Sequence, residues 1–168
     1  MSNEEQLVTI TSQDGVGVPC KKEAALLAGV VKNMIEEEDE DETNITEDLK
    51  LLKVTGETLK KVVEFLEHHV DEPMETLSET PLQMTKLGEC VGPEWYVKFA
   101  DIDREEMFLL VKAANYMDVP PLLDLMCLAI TMTIMDKSPE EVRGIFSKVN
   151  PSLAAPPQAA EADVEAAA

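Results

Sequence analysis

"AANYMDVPPLLDLM" (residues 113–126) decides how the chain is divided. An almost wholly apolar run at helical spacing is interrupted by Pro120 and Pro121, then resumes just as apolar. Proline lacks an N–H and biases the residue before it away from the helical region, so the pair predicts the end of one helix and a re-aimed start for the next. Everything before the break already reads as a small globule. The helices after it therefore need their own explanation, because a short helix does not hold itself in water and its apolar stripe must be covered. Each fully buried Leu, Ile, Met or Phe contributes roughly 1.5–3 kcal/mol.

Upstream of the break, "REEMFLLVKAANYM" is predicted helical to about Met117, with Asp103 as N-cap and Glu106 completing a capping box. It is apolar nearly all round, the pattern of a helix buried mid-domain or shared with a partner. "PEWYVKFA" reads as a short helix with Pro93 at its first position, and Trp95, the only tryptophan, reads as core. Residues 70–93 carry Pro73, Pro81, Gly88, Gly92 and Pro93 and read as a long loop. Thr55 opens a helix to about His69 with Leu59, Val62, Val63 and Leu66 as its apolar stripe, preceded by a third strand in "LKLLKV" (residues 49–54). At the start, "LVTITSQDGVGVPC" predicts a hairpin: one strand over residues 7–11, a turn at Gln13-Asp14-Gly15, and a return over residues 16–20. "KKEAALLAGVVKNMI" gives one or two short helices with Leu26, Leu27, Val30, Val31, Met34 and Ile35 at helical spacing. The fold class is α+β, a small, mostly three-stranded sheet packed with helices.

Downstream, "PPLLDLMCLAITMTIMD" places Leu123, Cys127, Ile130 and Ile134 on one side, and Leu122, Met126, Ala129 and Thr133 on another. A capping box from Ser138 to Glu141, with Pro139 at the favoured first position, opens a last helix with Val142, Ile145, Phe146 and Val149 as its stripe. The globule can cover one side of the first of these helices. The remaining apolar area either packs within the chain or forms a protein-binding surface, and periodicity favours neither. "PSLAAPPQAAEADVEAAA" (residues 151–168) is Ala- and Pro-rich and acidic, and is predicted to be a disordered tail.

At 168 residues the chain suits one domain with an appendage. Its net charge of −20 repels phosphate backbones, which excludes nucleic acid as the expected partner. Nine carboxylates fall between Glu36 and Asp48 with no basic residue among them, a solvated acidic loop. No apolar stretch is long enough for a membrane span, and "MSNEEQ" has no signal-peptide character, so an intracellular location is expected. Cys20, Cys90 and Cys127 are far apart and read as reduced thiols. Gly15 and Gly17 lack the company of a phosphate loop. His68 and His69 point about 100° apart on a helix and have no ligand cluster, so they read as a helix-terminal pair that favours the dipole when protonated. Cys127 lies on an apolar helical face, where a thiol is inert. No catalytic residue, metal or cofactor is expected.

"KVTGETLKKVVEFLEHHVDEP" and "FADIDREEMFLLVKAANYMDVPPLLDLMCLAITMTIMDKSPEEVRGIFSKVN" closely resemble the S-phase-kinase-associated adaptor family, the linker subunits of SCF (cullin–F-box) ubiquitin ligases. The resemblance covers roughly Leu7 to Asn150, and "AANYMDV", "LLDL" and "SPEEVRGIF" are its most specific parts. Elongin C shares the core, but ends soon after its "AANYLD"-like helix, whereas this chain continues through "KSPEEVRGIF". The resemblance implies a BTB/POZ core over residues 1–118, with its acidic loop at 36–48 and long loop at 70–93, followed by an F-box-binding helical extension over 119–150. It implies a non-catalytic adaptor that joins a cullin to interchangeable F-box receptors in the cytoplasm and nucleus. Asn115 and Tyr116 would meet the cullin. Leu123, Cys127, Ile130, Ile134, Val142, Ile145 and Phe146 would meet the F-box. Typical members carry a charged helical tail ending near a Trp-Cys pair, where this sequence has the Ala/Pro-rich segment, which puts the strength of the F-box clasp in doubt. An elongin C-like adaptor and a self-associating BTB/POZ scaffold are the alternatives; weak self-association of the free chain is compatible with the adaptor, since unfilled apolar grooves tend to find each other.

Overall fold

The structure, a computed structural model, describes residues 6–39, 49–75, 86–148 and 151. It comprises two compact units, residues 1–132 and 133–168.

In the first unit, β1 (Leu7–Thr11) pairs antiparallel with β2 (Gly17–Lys21), with Val8 opposite Cys20 and Ile10 opposite Val18. The side-chain period of two puts these four residues inside and Thr9 and Pro19 outside. The return strand starts one residue later than expected. Val16 belongs to the turn, where its carbonyl accepts the Ser12 N–H at 2.9 Å, and Gly15 supplies the positive φ of 79°. Asp14 in this turn accepts from the Ser12 hydroxyl and from the Gly56 N–H at 2.8 Å, bonds that hold its carboxyl below the usual range, the Ser12 bond most of all.

β3 is only Leu49–Lys50, parallel to β1, giving sheet order β2-β1-β3. The expected six-residue strand stops early because the chain leaves the ladder after the Leu51 N–H reaches the Thr11 carbonyl at 2.7 Å. Leu51 and Val54 turn into the core, while Leu52 and Lys53 loop outward.

Helices α1 (Lys22–Ala25) and α2 (Gly29–Asp39) follow β2. The turn between them restarts the periodicity, so Ala24, Ala25, Ala28, Val31 and Ile35 are buried and Leu26 and Leu27 lie exposed. The acidic run begins as helix, not loop: α2 continues to Asp39, aided by an exposed Lys32–Glu36 pair at 3.8 Å. Residues 40–48 lie outside the described part. Helix α3 (Gly56–Asp71) buries the expected Leu59, Val62, Val63 and Leu66, and also Phe65. A Cβ at Gly56 would stand 2.7 Å from that of Val16, so the hairpin and α3 approach this closely only over glycine.

The stretch read as loop from 70 to 93 contains a helix, α4 (Leu87–Val91), which ends at Gly92 with φ 78°. Leu87 and Val91, four apart and packed on the core, were its only signal. Residues 76–85 are outside the described part. In α5 (Glu94–Ala100), Pro93 takes the cap position instead of the first helical one. Tyr96 is fully buried and Trp95 half-buried against the core. Asp103 caps α6 (Arg104–Met117) by accepting the Glu106 N–H at 3.0 Å. The Glu106 carboxylate does not complete the box; it reaches Lys61 on α3 at 3.0 Å. Met107, Leu110, Ala113, Ala114 and Met117 form the buried face of α6, and Leu109 is exposed.

At the break, Asp118 adopts the left-handed region at φ 56°, and the Val119 N–H returns to the Ala114 carbonyl at 2.9 Å. The Asp118 carbonyl accepts the Gly29 N–H at 2.9 Å, pinning the turn to the start of α2. Pro120 and Pro121 then open α7 (Pro120–Ile134), where a missing N–H costs nothing. Leu122, Leu125, Met126, Leu128 and Ala129 are buried along it. No helix among the described residues is long and apolar enough to cross a membrane. In the second unit, α8 (Pro139–Ser147) opens with the expected capping box. Val149 and the tail from 152 lie outside the described part.

Candidate functional site

The last turn of α6 presents Asn115 exposed and Tyr116 partly buried, its ring packed on the core from one side. The Lys53 ammonium stands 5.7 Å from the Tyr116 ring centroid, within cation–π range. Leu52, beside Lys53 in the chain, is 67% exposed, and Leu109, two turns back along α6, is 47% exposed. Asn115 and Tyr116 thus sit in a surface that mixes apolar area, an amide, a phenol and a cation. The part played by Leu52 and Lys53 was hidden in the sequence because "LKLLKV" reads as an unbroken strand.

Along α7, Leu123 and Ile130 are half-buried against the core, and Ile134 is half-buried in the second unit. Cys127, read from the sequence as an inert thiol on an apolar helical face, is exposed. Four positions from Leu123 on a helix whose buried residues already fill the core, it is turned to solvent. Partial burial and the nearby Asp124 carboxylate raise its thiol pKa. The Thr131 hydroxyl donates back to the Cys127 carbonyl at 2.8 Å, so this side of α7 satisfies its polar groups locally.

In α8, Val142 and Phe146 are half-buried, while Ile145 is buried at 8% exposure. The box that starts the helix is complete: the Glu141 N–H donates to the Ser138 hydroxyl at 3.3 Å, and the Ser138 N–H donates to the Glu141 carboxylate at 2.8 Å. The Ser138 backbone bond is the main reason the Glu141 carboxyl sits below its usual range.

The histidine pair is structural. His68 stacks on Trp95 with ring centroids 3.8 Å apart, its Nε2 lying 3.3 Å from Glu72 without hydrogen-bond geometry. His69 stacks on Phe65, accepts the Met74 N–H on Nδ1 at 3.3 Å, and has the Tyr96 hydroxyl 3.0 Å away. Burial, and secondarily His68, push the His69 pKa down, which favours the neutral ring that accepts the Met74 N–H at the end of α3. The Tyr96 hydroxyl donates to the Glu72 carbonyl at 2.6 Å, and burial, with Glu72, pushes its pKa up to about 12. Among the described residues no group of three or more His, Cys, Asp or Glu could hold a metal ion. Cys20, Cys90 and Cys127 are free thiols, and burial, reinforced by Glu67, pushes Cys20 up to about 12.

Residues 6–71 match the family model described as "Skp1 family, tetramerisation domain", and residues 120–151 match "Skp1 family, dimerisation domain". The chain is 36% identical over 143 residues to an "E3 ubiquitin ligase complex SCF subunit sconC" of Arthroderma benhamiae, covering 85% of this chain and 84% of the relative. The chain belongs to the Skp1 family. It is also 36% identical over 145 residues to the protein of the same name in Aspergillus oryzae, covering 85% and 84%, and 35% identical over 145 residues to an "S-phase kinase-associated protein 1 homolog" of Tetrahymena thermophila, covering 85% and 82%. The three-stranded sheet packed with helices is accordingly a BTB/POZ-like fold. The second Skp1 match begins at Pro120, the residue that opens α7, and extends through α8. The segment after the proline pair is thus a family feature in its own right.

Proposed function

We propose that the chain is a non-catalytic subunit of an SCF-type E3 ubiquitin ligase, joining a cullin amino-terminal domain to interchangeable F-box receptors. The observation that carries this reading is the Skp1 match over residues 120–151, which supplies the helices beyond the POZ-type core. In this reading Asn115 and Tyr116 dock on the cullin. Leu123, Cys127 and Ile130 on α7, and Ile134, Val142, Ile145 and Phe146 in the second unit, contribute apolar contacts to the F-box. The half-buried state of Leu123, Ile130, Val142 and Phe146 suits that role, since each keeps apolar area in water that a partner's helices can cover. Ile145 supports the helix more than it meets a partner, because it is already buried. The contribution to ubiquitin transfer is geometric: a receptor and a cullin held in one assembly bring the substrate within reach of the charged enzyme. Work in both cytoplasm and nucleus goes with this reading.

Charge insertion on each face tests it. Asn115→Lys with Tyr116→Lys abolishes capture by a cullin while leaving F-box binding intact, and Val142→Asp does the reverse. Val142 is the better site because an aspartate at Ile145 would enter a buried position. Loss of both partners from a folded single-face variant contradicts the two-face arrangement. An obligate homodimer that ignores F-box peptides favours a self-associating scaffold instead.

A further inference from the structure

We infer that the α6 face around Tyr116 selects a carboxylate-bearing apolar helix of the cullin, with Lys53 and Lys112 as the residues that read its charge. This inference rests on the reading that Asn115 and Tyr116 meet a cullin, and it adds the chemistry of the partner. Leu109, Lys112 and Tyr116 follow the i, i+3, i+7 spacing of one helical stripe, so an exposed leucine, an exposed lysine and a partly exposed phenol line one outward face. Lys53 approaches the same face from the loop after β3, its ammonium 5.7 Å from the Tyr116 ring centroid. The ring holds that charge at the surface without neutralising it.

Among the described residues neither Lys53 nor Lys112 enters an ion pair that would neutralise it. Lys53 and Lys112 thus place two cations beside exposed Leu52 and Leu109 on a chain with 34 acidic and 14 basic residues. Glu105 begins the same stripe about 10 Å from Lys112 along the helix axis, beyond the reach of an ion pair. The Asp118 carboxylate is turned toward Gly29, where it fills the space a Cβ would occupy. A partner carboxylate on an apolar helix surface complements this arrangement. A basic helix would meet the repulsion of both lysines, so the pair also excludes wrong partners.

The test is the association of the full chain with a cullin amino-terminal domain, followed by stopped flow over a range of ionic strength. Rim charges act chiefly on the association rate and its salt dependence. Lys53→Glu with Lys112→Glu is expected to slow association roughly tenfold at low salt and to flatten or invert the salt dependence, and Lys53→Gln roughly threefold. F-box peptide binding and the thermal midpoint stay unchanged, since both lysines are exposed. If the wild type binds and Asn115→Lys with Tyr116→Lys destroys binding, but the lysine variants associate at the wild-type rate, the charge-reading inference fails and the adaptor reading stands. A wild type that does not bind a cullin at all overturns both. If the lysine variants leave cullin association alone and instead break self-association seen by light scattering, the face belongs to a second copy of the chain and the inference is overturned.

Discussion

Replacing Tyr96 by phenylalanine isolates one hydroxyl in the most densely aromatic part of the molecule. The ring contacts survive the change: Phe65 stands edge-on at 5.8 Å and Trp95 at 5.2 Å, and a phenyl ring fills the same space. What is lost is the 2.6 Å bond to the Glu72 carbonyl, which closes the end of α3, and the neighbour 3.0 Å from His69 Nδ1. A neutral hydrogen bond contributes about 1 kcal/mol net, and a group left without its partner at a buried site costs about 1–3 kcal/mol. Tyr96 is fully buried, so a loss of about 2 kcal/mol is expected. For a chain of this size that corresponds to a fall of roughly 4–8 °C in the thermal midpoint. Tyr96→Ala, which also removes the ring, costs about 3–5 kcal/mol and serves as the upper reference. Urea unfolding and calorimetry at about pH 8, where His69 is neutral, read the difference directly. Amide exchange at Met74 should quicken in the same variant, since its N–H is held by His69. A Tyr96→Phe protein as stable as the wild type refutes the idea that the hydroxyl closes α3.

His69 sets a pH dependence of known sign. Its folded pKa lies below the ordinary histidine value of about 6.5, so the unfolded chain binds the extra proton first and stability falls as pH drops through and below that value. His69→Phe, which keeps the stacking on Phe65, should flatten this slope in unfolding titrations. Ser138→Ala removes half of the capping box and should cost α8 about 1 kcal/mol, read as amide exchange in residues 139–147 roughly fivefold faster. Iodoacetamide should label exposed Cys127 slowly, because its thiol is held up, and an F-box peptide should protect it. Cys20, buried and pushed up to about 12, should stay unlabelled until the chain unfolds.

The helices with a cap and a stripe were legible from the residues: α3 and α6 fall close to where Leu59 to Leu66 and Asp103 placed them, and the Ser138 box marks the start of α8. Short elements were not. α4 has only Leu87 and Val91 to announce it among prolines and glycines, and β3 shrank to two residues because the chain leaves the ladder after Leu51, with Leu51 and Val54 turned into the core and the Val54 carbonyl taking the Gln13 N–H. Strand propensity cannot anticipate such an override. The charged side chains were read least well, since a sequence does not say that Glu106 will prefer Lys61 to its own cap, or that burial will keep His69 neutral. For the candidate site, Asn115 and Tyr116 came from the family pattern. Lys53 became visible only when the chain folded back over the Tyr116 ring.

The central claim is that one chain holds two different proteins at once. Light scattering on a purified mixture of the full chain, a cullin amino-terminal domain and an F-box protein measures this most directly. The account predicts a single species containing one copy of each. Two binary complexes that displace one another, or a chain that binds neither protein, would contradict it.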